Sequence, residues 1–528
     1  MSSQNPTPAN DERLSRNVIS SVGAKLLYLA TRFALPPVIL ASITLEEYGL
    51  WALAFILVAY LGMGAFGISN VYVRYVADYQ ARGQTDQIGA LLSTGLTLVS
   101  IFALLVMATL WFVLPGLLVS FSVPEHLQTT AFILIYGTVA VFMLDLSLGA
   151  FVYVLAGLQK IVLQNRIWIA AFMLESVLVI AFMMGGFGVL GLLYAFALRY
   201  ALSISLSLWF CFRALPGLRL SPRLFNRHHL GLYLRFGGIV QLSGLLGMVL
   251  RSVEKLIAGL FINVQAVGLF DIAQKFPVMA TSIPSSINAA YLPAVTEQHS
   301  RGEQAAFTRL YLAGARQINL LTGFIMGFLA AFAAPLLTAW LGPDPAFAKA
   351  AFVLACFTLP FQLNVLTGPA SNVFRGSGKP ARELIYPLSQ LALVVVLVAL
   401  AFGLFGISIG AIAVAVALAM ILSAALYLAY THRFLGVGQQ RFLVRVIVPG
   451  LTPSLSGLVL AVAAKPWTAS VDDSRPGSLV VVVLAGLAYL LLQGTVCWRL
   501  QLSRDEKHFI HQRLSVLVRR LRKPEQNP

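Results

Sequence analysis

The sequence predicts an all-α integral membrane protein with about fourteen spanning helices. Three observations carry that prediction. Of 528 residues, 59% are hydrophobic and 11% are charged, whereas a soluble domain is roughly 45–50% apolar and about 25% charged. Apolar runs of spanning length, about 20 residues, recur fourteen times. Basic residues collect in alternate loops between those runs. An apolar excess this long excludes an ordinary soluble enzyme, whose core could not hide the surface.

In chain order the runs cover about 17–42, 49–70, 88–113, 129–156, 166–185, 188–210, 237–261, 267–292, 312–336, 347–371, 383–403, 407–430, 443–464 and 478–498. The first follows 16 polar residues and holds Lys25 and Arg32. It is too long and too charged for a cleaved signal peptide, so a first spanning helix is expected. Gly185-Gly186-Phe187-Gly188 and Gly403-Leu404-Phe405-Gly406 are tight turns between neighbouring antiparallel helices. Prolines in runs one (Pro36, Pro37), eight (Pro277, Pro284) and ten (Pro360, Pro369) are expected to interrupt or kink them. Beyond the last run, Arg504 to Lys523 places Phe509, Ile510, Leu514, Leu517 and Leu521 at helical spacing among basic residues. That pattern fits an interfacial helix on anionic lipid, or a solvated basic tail.

The net charge is +17. In a soluble chain such a balance suggests nucleic acid. Here 28 of the 37 Lys and Arg lie in alternate loops and the two termini, and the opposite loops hold only Lys349, Lys465 and Arg475. The asymmetry is a topology signal: both termini are expected in the cytoplasm, and no nucleic-acid partner is implied. Cys211, Cys356 and Cys497 form no CxxC pair, and the histidines make no HExxH or other metal spacing. No phosphate-cradling Walker loop appears, so no cofactor is expected and ATP is not the energy source of this chain alone.

A shift of 219 residues superposes several landmarks. Tyr48-Gly49-Leu50-Trp51 falls on Val267-Gly268-Leu269-Phe270, and Gly157-Leu-Gln-Lys160 on Gly376-Ser-Gly-Lys379. Tyr72 falls on Tyr291, Asp78 on Glu297, Gly191 on Gly410 and Arg32 on Arg251. Six helices per repeat is an even number, so the halves share one orientation about an axis along the membrane normal. The expected plan is a cytoplasmic tail (1–16), an N-lobe (17–212), a basic linker (213–236), a C-lobe (237–432), an appended helix pair (433–498) and a basic tail (499–528). Two pseudo-symmetric six-helix lobes around a central cavity form a plan for alternating access.

Ionisable residues inside spans are costly and point to function or pairing. The cations are Lys25, Arg32, Arg199, Arg251, Lys255 and Lys275; the acids are Asp145, Glu175, Glu254 and Asp271. Lys25 and Arg32, seven apart, share a face of the first helix; Arg251 and Lys255, four apart, share a face of the seventh. Arg32, Arg251, Lys25 and Lys255 are expected to line a positive cavity, with Arg32 and Arg251 opposed. Guanidinium and ammonium groups there suit an anionic, phosphate-bearing substrate. Glu254, Asp271, Asp145 and Glu175 are candidates for a coupling H+ or Na+, or for balancing nearby cations. For Arg199 an ion pair with Glu175 or Asp145 is expected; the alternative for the other cations is local pairing, Lys255 with Glu254 or a neighbour and Asp271 with Lys275, with Lys25 reaching out to the cytoplasmic end.

Asn17-Val-Ile-Ser-Ser, Leu45-Glu46-Glu47-Tyr48-Gly49-Leu50, Val253-Glu254-Lys255-Leu256-Ile257-Ala258-Gly259 and Ala266-Val267-Gly268-Leu269-Phe270-Asp271-Ile272-Ala273 together resemble the Wzx-type polysaccharide flippases. These belong to the multidrug/oligosaccharidyl-lipid/polysaccharide exporter superfamily. The resemblance implies a MATE-like exporter fold in a bacterial inner membrane. It implies transfer of an undecaprenyl-diphosphate-linked oligosaccharide to the periplasmic leaflet for O-antigen, capsule or exopolysaccharide, coupled to an ion. A polysaccharide polymerase and a chain-length regulator are then plausible partners. The rival readings are a multidrug extruder, disfavoured by the basic lining, and a lipid II flippase. A membrane polymerase is disfavoured by the short outer loops.

Overall fold

The computed structural model describes residues 8–62, 67–468, 470–501 and 507. Among them every regular element is helical. The helices are α1 (Pro8–Leu40), α2 (Leu45–Leu61), α3 (Ile68–Ala81), α4 (Thr85–Ser120), α5 (Glu125–Gly157), α6 (Ile161–Met184), α7 (Gly188–Ala214), α8 (Arg227–Phe261) and α9 (Val264–Ala280). They continue as α10 (Ser282–Ser300), α11 (Gln304–Ala331), α12 (Ala333–Leu341), α13 (Pro345–Gly376), α14 (Ile385–Phe405), α15 (Ile409–Leu435), α16 (Gln439–Thr468) and α17 (Arg475–Val496). Ten of the described helices are long and apolar enough to cross a membrane.

Among the described residues all fourteen apolar runs fall on helix, with three differences. The runs at 49–70, 267–292 and 312–336 are each divided in two, as α2/α3, α9/α10 and α11/α12. The first helix starts at Pro8, nine residues before its apolar run. Hydropathy marks where a chain enters lipid, and a helix continues past that point wherever its residues permit. Pro36 and Pro37 do not interrupt α1, and Pro360 and Pro369 do not interrupt α13; each helix runs through both of its prolines. The tail segment 504–523 lies outside the described residues, apart from Lys507.

Local chemistry explains the starts. Thr44 opens α2 with a capping box: its Oγ1 accepts from the Glu47 N–H at 3.2 Å, and Glu47 Oε2 accepts from the Thr44 N–H at 2.9 Å. Asn263 occupies the repeat-equivalent place before α9, where its Oδ1 accepts from the Ala266 N–H. The Gly186 and Gly406 turns between antiparallel helices both use positive φ, 74° and 73°.

The chain divides into two compact units: residues 1–275 with 387–419, and 276–386 with 420–528. In the first, α1 packs on α6, α6 on α7 and α2 on α5. Its core joins Tyr72, Val76, Ile88, Leu92, Phe151, Val154 and Leu155. In the second, α11 packs on α13 and α16, and α12 on α17. Its core joins Val295, Phe307, Tyr311, Ala370, Val373 and Phe374. Each of these six lies 219 residues after a member of the first core.

The same contacts recur at that offset. A Cβ on Gly95 would stand 2.7 Å from the Tyr72 hydroxyl, and one on Gly314 3.0 Å from the Tyr291 ring. A Cβ on Gly157 would meet Val76 at 3.0 Å, and one on Gly376 would meet Val295 at 2.9 Å. Positive φ recurs at Gly83 and Gly302, at Gln159 and Gly378, and at Gly217 and Gly436. The helix breaks at Gly62 and Thr281 also keep the offset. The repeat is therefore a repeat of structure.

Within the first unit, α2 and α9 meet at two positions that the 219-residue offset relates, Gly49 and Gly268. A Cβ on Gly49 would overlap the Val264 carbonyl oxygen. A Cβ on Gly268 would lie 3.0 Å from the Leu45 carbonyl oxygen and 3.3 Å from the Gly49 nitrogen. Leu45 and Val264 are themselves repeat partners, so the contact is reciprocal. Only glycine lets two backbones come this close.

In the second unit, α16 is clasped to α11. The π turn at Leu443–Ile447 frees the Val446 carbonyl, which accepts from Asn319 Nδ2 at 2.7 Å. Gln362 Nε2 donates to Asn319 Oδ1 and to the Gly450 carbonyl, both at 2.8 Å. Tyr489 of α17 donates to the Phe324 carbonyl at 2.9 Å.

Candidate functional site: two shared carboxylates among buried cations

Glu175 lies on the middle of α6, facing α1 and α7, and is buried. Arg32 of α1 donates Nη2 to both of its oxygens at 3.1 Å. Arg199 of α7 donates Nη1 to Oε2 at 3.1 Å. One carboxylate thus serves two guanidinium groups, leaving the group of three net positive. Arg199 is further held by aromatic faces, with its guanidinium carbon 4.1 Å from the Tyr200 ring centre and 4.5 Å from that of Phe172. The pair expected between Arg199 and Glu175 is present, and Arg32 shares it.

A second group has the same composition. Asp271 of α9 accepts from Lys255 Nζ of α8 at 2.7 Å and from Lys275 Nζ at 2.9 Å. Tyr48 of α2 donates its hydroxyl to Asp271 Oδ2 at 3.0 Å. Helical spacing brings Lys275 one turn beyond Asp271, and the α8–α9 hairpin brings Lys255 across.

The remaining predicted residues separate. Glu254 is buried and accepts from Gln274 Nε2 at 2.7 Å rather than from Lys255. Asp145 opens the π turn of α5 and lies against Gly149, whose missing side chain makes room for the carboxylate. It lines a cavity of about 390 Å³ with Arg199, Tyr200, Tyr153 and Trp168. Lys25 and Arg251 are exposed. Among the described residues neither has an ion pair, and no contact joins Arg251 to Arg32. Sequence reasoning overlooked Tyr48 and Gln274 as partners. Tyr48 carried a signal, since it stands in the repeated segment at 48–51.

This constellation suits binding of an anion inside an apolar environment. Arginine and lysine supply directed donors, and each carboxylate orients its cations while nothing else is bound. Among the described residues no group of three His, Cys, Asp or Glu could hold a metal ion.

Comparison with known proteins defines the class. Residues 39–344 match the family model described as polysaccharide biosynthesis protein. That match covers more than half of the chain, and the chain belongs to this family. The membrane protein EpsK of Bacillus subtilis (strain 168), itself described as uncharacterized, is 21% identical over 518 residues, covering 94% of this chain and 97% of that protein. Among solved structures, an inward-facing multidrug resistance MATE family transporter of the MOP superfamily has a TM-score of 0.68 at 15% identity, covering 78% of this chain and 94% of its own. The lipid II flippase MurJ, in an inward closed conformation, has a TM-score of 0.65 at 14% identity, covering 92% and 98%. The fold is that of these membrane transporters, all-helical and multi-pass.

Proposed function

We propose that the protein is a flippase moving undecaprenyl-diphosphate-linked oligosaccharide from the cytoplasmic to the periplasmic leaflet of a bacterial inner membrane. The product serves surface polysaccharide assembly: O-antigen, capsule or exopolysaccharide. The observation that carries the reading is the pair of shared carboxylates, each holding two cations deep among apolar helices. A lipid-linked diphosphate is an anion that must cross that environment. Arg32, Arg251, Lys25 and Lys255 are the proposed cavity cations. Membership of the polysaccharide biosynthesis family supports the substrate class, and the transporter fold supports alternating access.

In the proposed cycle the lobes 17–212 and 237–432 rock about the linker 213–236, with 433–498 as an attached pair and both termini cytoplasmic. The cycle is coupled to H+ or Na+, with Asp145, Glu175, Glu254 and Asp271 as the candidate carriers. The basic tail 499–528 rests on anionic lipid, and a polymerase with its chain-length regulator receives the product.

Deleting the gene should accumulate lipid-linked oligosaccharide in the cytoplasmic leaflet and remove the surface polymer. Alanine at Arg32 or Arg251 should reproduce that phenotype at normal membrane abundance. Normal surface polysaccharide in the deletion strain would refute the role. Accumulation of lipid II in its place would favour the lipid II reading.

A further inference from the structure

The two shared carboxylates have a common asymmetry. Around Glu175 the Arg199 side chain is 11% exposed and Arg32 is 26% exposed. Around Asp271 the Lys255 side chain is 13% exposed and Lys275 is 31% exposed. Each carboxylate therefore has an inner cation and an outer one. The inner cation is the better fixed in both groups. Arg199 is packed against Tyr200, Phe172 and Phe196, whereas Arg32 has one ring, Tyr28, at 5.4 Å. Lys255 reaches Asp271 from the neighbouring helix at 2.7 Å, and Lys275 returns along its own helix at 2.9 Å.

A buried carboxylate left without a cation is strongly destabilising. The geometry avoids that penalty when an outer cation departs. If Arg32 leaves, Glu175 keeps Arg199. If Lys275 leaves, Asp271 keeps Lys255 and the Tyr48 hydroxyl. The reverse departure would uncover a side chain already packed away from access.

Resting on the flippase reading, we propose that Glu175 and Asp271 act as internal stand-ins for the substrate's diphosphate. Arg32 and Lys275 are the exchangeable ligands, which transfer from carboxylate to phosphate when substrate binds. This assigns Lys275, first expected only to balance Asp271, as a substrate ligand, and makes Lys255 a positioning residue. The carboxylates also weaken substrate binding by competing for the same cations. Their benefit falls on the empty carrier, whose outer cations return across the low-dielectric interior already paired.

The test uses the full-length protein in phosphatidylcholine nanodiscs, with geranylgeranyl diphosphate as probe and geranylgeraniol as its uncharged control. Wild type should prefer the diphosphate. Arg32→Ala and Lys275→Ala should each weaken diphosphate binding about tenfold, the scale of one lost charge-assisted bond. Glu175→Gln and Asp271→Asn should each tighten it severalfold while slowing multiple-turnover flipping in proteoliposomes. A purely structural carboxylate would instead leave affinity unchanged or lower it.

If wild type does not distinguish the diphosphate from the alcohol, the flippase reading fails and this inference falls with it. If wild type binds and the cation variants weaken, but neither amide variant tightens, the exchange is wrong and the flippase reading stands. If an amide variant misfolds, Glu175→Asp and Asp271→Glu replace it; these keep the charge but alter its reach to the outer cation, and altered affinity without loss of fold is expected. Misfolding of all four would show the carboxylates to be static counter-ions and would overturn the proposal.

Discussion

Arg199 has its guanidinium carbon 4.1, 4.5 and 5.5 Å from the ring centres of Tyr200, Phe172 and Phe196. That packing decides what each cation near Glu175 contributes. Replacing Arg199 with methionine leaves Glu175 dependent on the more exposed Arg32, and opens a gap among three rings. Loss of a buried partner costs about 3–5 kcal/mol, so Arg199→Met should lower the thermal midpoint in detergent well below that of Arg32→Met. A larger loss from Arg32→Met would contradict the inner and outer assignment. Which ionisable residues lie inside helices was legible from sequence, because such a side chain in an apolar run stands out by type alone. Their pairing was legible only where it is local. Asp271 and Lys275 are four apart, and helical spacing joins them. Arg32 and Glu175 are 143 residues apart, and no spacing rule reaches that far.

At the scale of elements, the reciprocal contact of α2 and α9 gives a graded expectation. Alanine at Gly49 collides with a carbonyl oxygen that belongs to a helix, so one backbone must move. Alanine at Gly268 meets its nearest atom at 3.0 Å, a contact relieved by a small shift. Gly49→Ala should therefore cost more complementing activity than Gly268→Ala, measured as surface polymer at matched abundance. Equal tolerance of both would show that the helices do not meet so closely in the membrane. Helix identity was legible throughout, since each apolar run became helix. The break at Thr281 falls between Pro277 and Pro284, where an interruption was expected, but those at Gly62 and Phe332 were not legible, because hydropathy does not register a bend. The glycine repeat at 49 and 268 was visible, but that its two members touch was not.

For the whole molecule, the proposed orientation follows from charge. Single cysteines introduced into a chain lacking Cys211, Cys356 and Cys497 test it. Ser122→Cys and Asp344→Cys, in the α4–α5 and α12–α13 connections, should react with an impermeant maleimide on intact spheroplasts. Gln84→Cys and Ser377→Cys, in the α3–α4 and α13–α14 connections, should react only after the membrane is opened. The reverse pattern would invert the orientation. The doubled architecture was already legible in the 219-residue offset. The cores at Tyr72 and Val295 show the physical reason: both halves solve one packing problem with equivalent positions.

The meeting of Gly49 with Gly268 also bears on how the chain is made. During synthesis α2 enters the membrane long before its partner exists, and some 219 residues must follow before Gly268 emerges. Until then the Leu45 carbonyl face and the Tyr48 hydroxyl have no α9 to meet. Contacts so distant in sequence close late, after local helix pairs have formed. Biogenesis thus includes an interval in which the first half is threaded but unfinished, and that half waits at the very point where the second half repeats it.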